Sequence, residues 1–533
     1  MSYQTIGFLL FSLAVLIVYY IAGLISGKLQ KYVLILGSVA FYYFAGLKYL
    51  PFLVATLIIT FMGGLILDKL YSNADKKLEA CKSLDEKKAV RKKTKTKSRI
   101  VLNLTMLVPV LLLVVCKYTG FIIKNVNSIL SLTGSSKHFD VIKILLPIGI
   151  SFYTFMALSY ILDIFWKRYK AEKNIFNYAA YLMFFPHVVQ GPIDRFDKFN
   201  NQIKNGVKFN PDNISSGVML IVWGFFKKIV IADRLTMFVD TIFDGYTNYH
   251  GFIIVLATMA YSIQIYADFS GCIDIVSGVS ECFGIKLAEN FNHPYFSRTM
   301  LEFWRRWHIS LQEWFKDYIY FPVSMSSFVK GVKKNAKKHG HKKAGELFAS
   351  CFPIFVVWVV TGLWHGSSWK FVAWGMFHAF LLITSKIFED TNAKINEKLK
   401  IKTESWGFAF FRMARTFMLC CVGRVFFRAP RLSASIGIFK NIVNQGFGMK
   451  YLGTEQLASY GLNWNNIYLV IIAIIVLLIG DILQERMNVR EKLIKENGFL
   501  LRWALILTGI FIVIIFGVYG PGYNASNFIY QDF

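Results

Sequence analysis

The sequence predicts an all-α polytopic membrane protein with about 11 transmembrane helices, plus re-entrant and interfacial helices, around a central tunnel or funnel. Three observations carry that prediction. Hydrophobic residues make up 55% of the 533 residues and aromatic residues 17%. Several apolar runs reach the roughly 20 residues that a helix needs to cross a bilayer core. The basic residues behind the net charge of +28 lie in blocks between those runs.

Apolar runs fall near 5–25, 32–47, 50–67, 100–116, 141–165, 214–232, 250–270, 350–364, 367–388, 408–428, 463–483 and 500–519. The first, MSYQTIGFLLFSLAVLIVYYIAG, has no basic n-region and no small-residue cleavage site, so it is expected to be a retained helix. Some runs are short or broken, which is why fewer crossings than runs are expected. No repeat of fixed period occurs, and the two halves show no matching broken helices of the kind that mark inverted-repeat transporters. The segment RTMLEFWRRWHISLQEWFKDYIYFP, Arg298 to Pro322, is too charged to span and too aromatic for a solvated loop. It is expected to lie at the interface, or to dip into a protein-lined cavity, as an amphipathic helix.

Charge orients the chain. Lys69 to Arg99 holds twelve Lys/Arg against four Asp/Glu, and Lys330 to Lys343 holds seven lysines and no acid. The positive-inside rule makes both segments cytoplasmic. Counting spans from them puts both the N-terminus and the C-terminal tail outside the cytoplasm, in a multi-pass membrane protein. Basic blocks so placed favour anionic lipid headgroups as partners, and no nucleic acid. The seven cysteines include no C-x-x-C pair and mostly sit in apolar segments. They are read as small buried hydrophobes, with no metal site.

Two histidines stand out. VVWVVTGLWHGSSWKFVAWGMFHAF sets His365 in an almost unbroken apolar stretch, between Gly362 and Gly366. An ionisable group at membrane depth costs a few kcal/mol, so it is either functional or a neutral imidazole bonded to a neighbouring helix. His308 shares its segment with Arg305 and Arg306. These arginines can bind anionic groups of a substrate or pair with Asp268 or Asp274. His187, before a Gly-Pro turn, and His378 are weaker candidates. No zinc-type spacing and no G-x-S-x-G elbow occurs.

GLWHGSSW and EFWRRWHISLQEWFKDYIYFP resemble the two signature blocks of the membrane-bound O-acyltransferase (MBOAT) family. FFPHVVQGPIDRFDKF (Phe184 to Phe199) and QIYADFSGCIDIVSG (Gln264 to Gly278) resemble blocks of its bacterial branch of alginate O-acetylases and D-alanyl transfer proteins. The matching blocks run from about residue 180 to 380, inside a single membrane domain expected over 1–533 with an extracytoplasmic tail at 520–533. Ala267, Cys272 and Ser367 depart from the usual residues, but none of the changes removes an ionisable group.

The resemblance implies transfer of an acyl group from a cytoplasmic thioester to an acceptor reached from the other side. His365 matches the family's active-site histidine and His308 its second. An imidazole of near-neutral pKa can take the proton of an attacking hydroxyl. Arg305, Arg306, Trp304, Trp364 and Asp268 complete the expected substrate-binding set. No permanently bound cofactor is expected, since acetyl-CoA would act as donor substrate. The acceptor is expected to be a cell-envelope glycan, served by a separate extracytoplasmic SGNH-type (GDSL-like) acyltransferase. D-alanyl transfer from a carrier-protein thioester to teichoic acid is the alternative. A lipid or acyl transporter without chemistry is the competing class.

The chain closes on NFIYQDF, and the spacing F-x-Y-x-x-F (Phe528, Tyr530, Phe533) resembles a C-terminal aromatic motif associated with the same branch. A phenol with a pKa of about 10 is a better leaving group than a sugar alkoxide, so Tyr530 can relay an acyl group. The other reading is an aromatic anchor in the interfacial belt.

Overall fold

A chain inside hydrocarbon must satisfy its own N–H and C=O groups, and helices are how the apolar runs of this sequence do so. The computed structural model describes residues 2–142, 144–444, 453–460 and 463–519, and among them no β-strand forms. One isolated antiparallel bridge, Phe291 with Trp307, joins two non-helical segments.

Eight helices among the described residues are long and apolar enough to cross a membrane. A ninth is reached if Trp369–Ile387 and Glu389–Lys398, bent by 56°, count as one span. The chain is a multi-pass helical membrane protein, with fewer such helices than the about 11 crossings expected from length and hydropathy alone. Three local features account for the difference. The runs at 32–47 and 50–67 fall in one helical stretch of 54 residues, Gly27–Ala80. Within it, Gly27–Gly46 meets Leu50–Ala80 through a 3-10 turn at Leu47–Tyr49, where Gly46 has φ 132°, a conformation open to glycine. The run at 141–165 is helical only over Ile150–Phe165, 16 residues. Trp406–Arg428 carries Arg412, Arg415, Arg424 and Arg428 and is too basic to count as an apolar span.

Local chemistry sets several helix ends. Thr5 caps the first helix, Ile6–Ile25, by accepting from the Phe8 N–H. Ser83 and Glu86 form a reciprocal capping box ahead of Leu84–Leu132. At 49 residues that helix is about 74 Å long, more than twice a hydrocarbon core, so its lysine-rich first third projects beyond the membrane.

The chain forms two compact units, residues 1–218 with 276–288, and residues 219–275 with 289–533. In the first, Ile150–Phe165 is buried along almost its whole length. Tyr160 packs on Tyr178 at 4.2 Å between ring centroids. His187 is fully buried there, 3.0 Å by Nδ1 from the Asp194 carboxylate and 2.9 Å by Nε2 from the Tyr181 carbonyl. Both ring nitrogens are committed, so His187 ties its loop together.

In the second unit, Lys342–His365 and Trp369–Ile387 form a helical hairpin turned by Gly366–Ser368. A Cβ on Gly362 would lie 2.5 Å from the Phe371 carbonyl oxygen, and one on Gly375 2.3 Å from that of Trp358. Only glycine permits so close an approach. The segment expected as one amphipathic helix divides into Met300–Arg306 and Ile309–Phe315, broken at Trp307 and His308. The break coincides with the Phe291–Trp307 bridge, which pulls the backbone out of helix.

Candidate active site

His365 ends its helix at 2% exposure. The glycine-tight hairpin presses Trp374 edge-on to its imidazole, with centroids 4.7 Å apart. Trp364 at 4.9 Å and Phe427 at 5.4 Å complete a box of rings.

The rings continue away from His365. Trp374 also lies 4.9 Å from His378, which in turn meets Trp304 at 4.8 Å and Trp358 at 5.2 Å. Trp304 and Trp358 form part of the wall of a cavity of about 1430 Å³. Arg305, Lys316, Lys386, Arg412 and Arg415 line it as well, against Glu313 and Glu389. His365 and His308 are not among its lining residues. Trp304 and His378 therefore separate this basic-leaning cavity from the His365 box.

His308 reaches the same cluster from the other side, 5.9 Å from Trp364 and 4.9 Å from Phe269. It is 1% exposed, and burial alone pushes its imidazole down to about 3, so the ring is neutral near pH 7. Its Nδ1 stands 3.1 Å from the amide oxygen of Asn290.

The two arginines part company. Arg305 faces the cavity, whereas Arg306 is paired with Glu485 at 2.8 Å and Glu302 at 3.1 Å. Neither is paired with Asp268 or Asp274. Asp268 lies 2.7 Å from Lys228, which also meets Asp233 at 2.8 Å, and all three side chains are nearly fully buried. Lys227 takes Asp274. Both lysines lie on a π-helical stretch, Phe226–Ala232, facing Phe252–Cys282. Asp268 thus anchors one helix to another through Lys228. Tyr530 lies outside the described residues.

Sequence reasoning passed over Trp374, Phe427, Lys228 and Asn290. Trp374 falls nine residues after His365 and Phe427 far beyond it, so only the hairpin and the incoming helix bring them to its ring. Lys228 had a usable signal, as a lysine pair inside an apolar run needs buried acids.

Residues 138–337 match the model of the MBOAT, membrane-bound O-acyltransferase, family, a stretch that includes His308 and ends before His365. A probable alginate O-acetylase AlgI of Azotobacter vinelandii is 34% identical over 367 residues, covering 67% of this chain and 66% of the relative. A peptidoglycan O-acetyltransferase of Helicobacter pylori is 29% identical over 449 residues, 79% of this chain and 75% of the relative. A teichoic acid D-alanyltransferase of Bacillus subtilis is 29% identical over 278 residues, 52% of this chain and 67% of the relative. The chain spans between 55% and 66% of the length of the alginate O-acetylase relatives it matches. The family match, these relatives and a helical membrane fold agree with the resemblance carried by the sequence blocks. The chain belongs to the membrane-bound O-acyltransferase family.

Proposed function

We propose that this protein transfers an acyl group, acetyl from cytoplasmic acetyl-CoA, across the membrane toward O-acylation of an extracytoplasmic envelope polysaccharide. The observation that carries the reading is His365, an imidazole 2% exposed at the end of an apolar helix. It is joined by rings to the wall of a cavity large enough for a substantial donor. In this reading the donor enters that cavity, and Arg305 with its basic neighbours receives the donor's phosphates. His365 takes the proton of the acceptor hydroxyl as the new O–C bond forms. The C–S bond then breaks, and the thiolate leaves with that proton.

Tyr530 is the first acceptor in this proposal, at an extracytoplasmic C-terminal tail, and a separate SGNH-type transferase moves the acyl group on to the glycan. The similarity to O-acetyltransferases supports acetyl as the group. Protein reconstituted in lipid and supplied with acetyl-CoA should release free thiol, and His365→Gln should not. Release only from a D-alanyl carrier-protein thioester would reassign the donor, and release from neither would leave transport. In cells, Tyr530→Phe should abolish polymer acylation while leaving the protein level unchanged. Unchanged acylation would remove the relay and leave the anchor.

A further inference from the structure

His308 is held in a backbone conformation its side chain disfavours, φ 49° and ψ 52°. A left-handed non-glycine residue is strained and persists where its surroundings over-determine it. Here the segment 290–292 does so. The Ile309 N–H donates to the Asn290 carbonyl at 3.0 Å, and the Asn292 N–H to that of Arg306 at 3.0 Å, on either side of the Phe291–Trp307 bridge.

The side chain of Asn290, 1% exposed, works at the same place. Its amide oxygen accepts from the Ser310 N–H at 3.2 Å and the Ser310 hydroxyl at 2.7 Å, and lies 3.1 Å from His308 Nδ1. A backbone N–H can only donate, so the amide atom facing these groups is the oxygen. The proton of a neutral His308 therefore sits on Nδ1, and Nε2 is the basic nitrogen. The other end of the amide, Nδ2, is buried with no hydrogen-bond partner.

We infer that Asn290 is a positioning residue for acyl transfer, fixing His308 in the Nδ1-protonated tautomer so that Nε2 accepts a hydrogen bond from the reacting groups. The inference rests on the proposed acyl transfer and on the active-site role that the family resemblance implies for His308. No bond is made or broken at Asn290, and the Nδ1 proton stays between the two residues throughout.

The test is nitrogen NMR of histidine-labelled full-length protein in lipid, with the His308 signals assigned by their loss in His308→Gln. At pH 6–8 the wild type should show Nδ1 protonated and Nε2 bare. Asn290→Ala should give mixed tautomers and at least a tenfold lower kcat, with the donor KM within about twofold. Asn290→Asp keeps an acceptor oxygen, so it should restore the tautomer and most of kcat. An Nε2-protonated ring in the wild type overturns the inference, and so does an Asn290→Ala protein with both tautomer and kcat unchanged. Should Asn290→Ala fail to fold, the wild-type tautomer and the Asn290→Asp kinetics decide. If the tautomer is as stated but His308→Gln turns over normally, the proposed role of His308 falls and the tautomer assignment stands.

Discussion

The rings of His365 and Trp374 lie 4.7 Å apart and cross at 82°, so the edge of one points at the face of the other. Trp374 is 1% exposed and also touches His378 and Phe427. Trp374→Ala should therefore open a cavity and lower stability by about 3–5 kcal/mol. It should also release His365 from its fixed orientation. Thermal unfolding in detergent and thiol release measured together check this, with Trp374→Phe retaining most of both.

His365→Gln should reduce acetyl-CoA-dependent thiol release by at least about a hundredfold, the usual range for a lost general base. Glutamine keeps the polarity and much of the volume, so gel-filtration elution and unfolding temperature should stay near wild type. Retained activity would count against the base assignment.

Arg305 and Arg306 should separate in kinetics. Arg305→Glu reverses a charge on the cavity wall and should raise the donor KM about tenfold or more, with kcat little changed. Arg306→Gln breaks the contact with Glu485 and Glu302 and should leave the donor KM within about twofold, because that pair lies apart from the lining residues. Steady-state kinetics with varied acetyl-CoA distinguish the two.

Lys228 balances Asp233 and Asp268 in a nearly dry site. Lys228→Met strands two buried carboxylates and should destabilise the protein by about 3–5 kcal/mol. Adding Asp233→Asn and Asp268→Asn removes the stranded charge, so the triple variant should recover much of the loss in thermal unfolding. Recovery would separate a structural tie from a catalytic role, provided thiol release returns with it.

The helical class and the burial of His365 were legible in the sequence because both leave local marks. An apolar run of bilayer length can only be helix, and an imidazole inside one must be accounted for. The number of spanning helices was less legible, since hydropathy does not register Gly46 turning inside one helical stretch or the arginines along Trp406–Arg428. Partners were the least legible part. Asp268 was expected to pair with Arg305 or Arg306, yet its cation is Lys228, forty residues earlier, on a π-helical stretch that no periodicity announces. Asn290 was hidden for the same reason, because its contact with His308 depends on a backbone bridge between two irregular segments.

The stack of rings from Trp304 through His378 and Trp374 to His365 has a consequence for the cell's energy supply. Chemistry that works across a bilayer threatens to short-circuit it, because a wetted channel between two aqueous compartments would dissipate the proton-motive force. Here the cavity stops at an aromatic plug, and the imidazole behind it is nearly inaccessible to water. In the cross-membrane transfer proposed above, hydrated ions would meet indole and imidazole rings at that point.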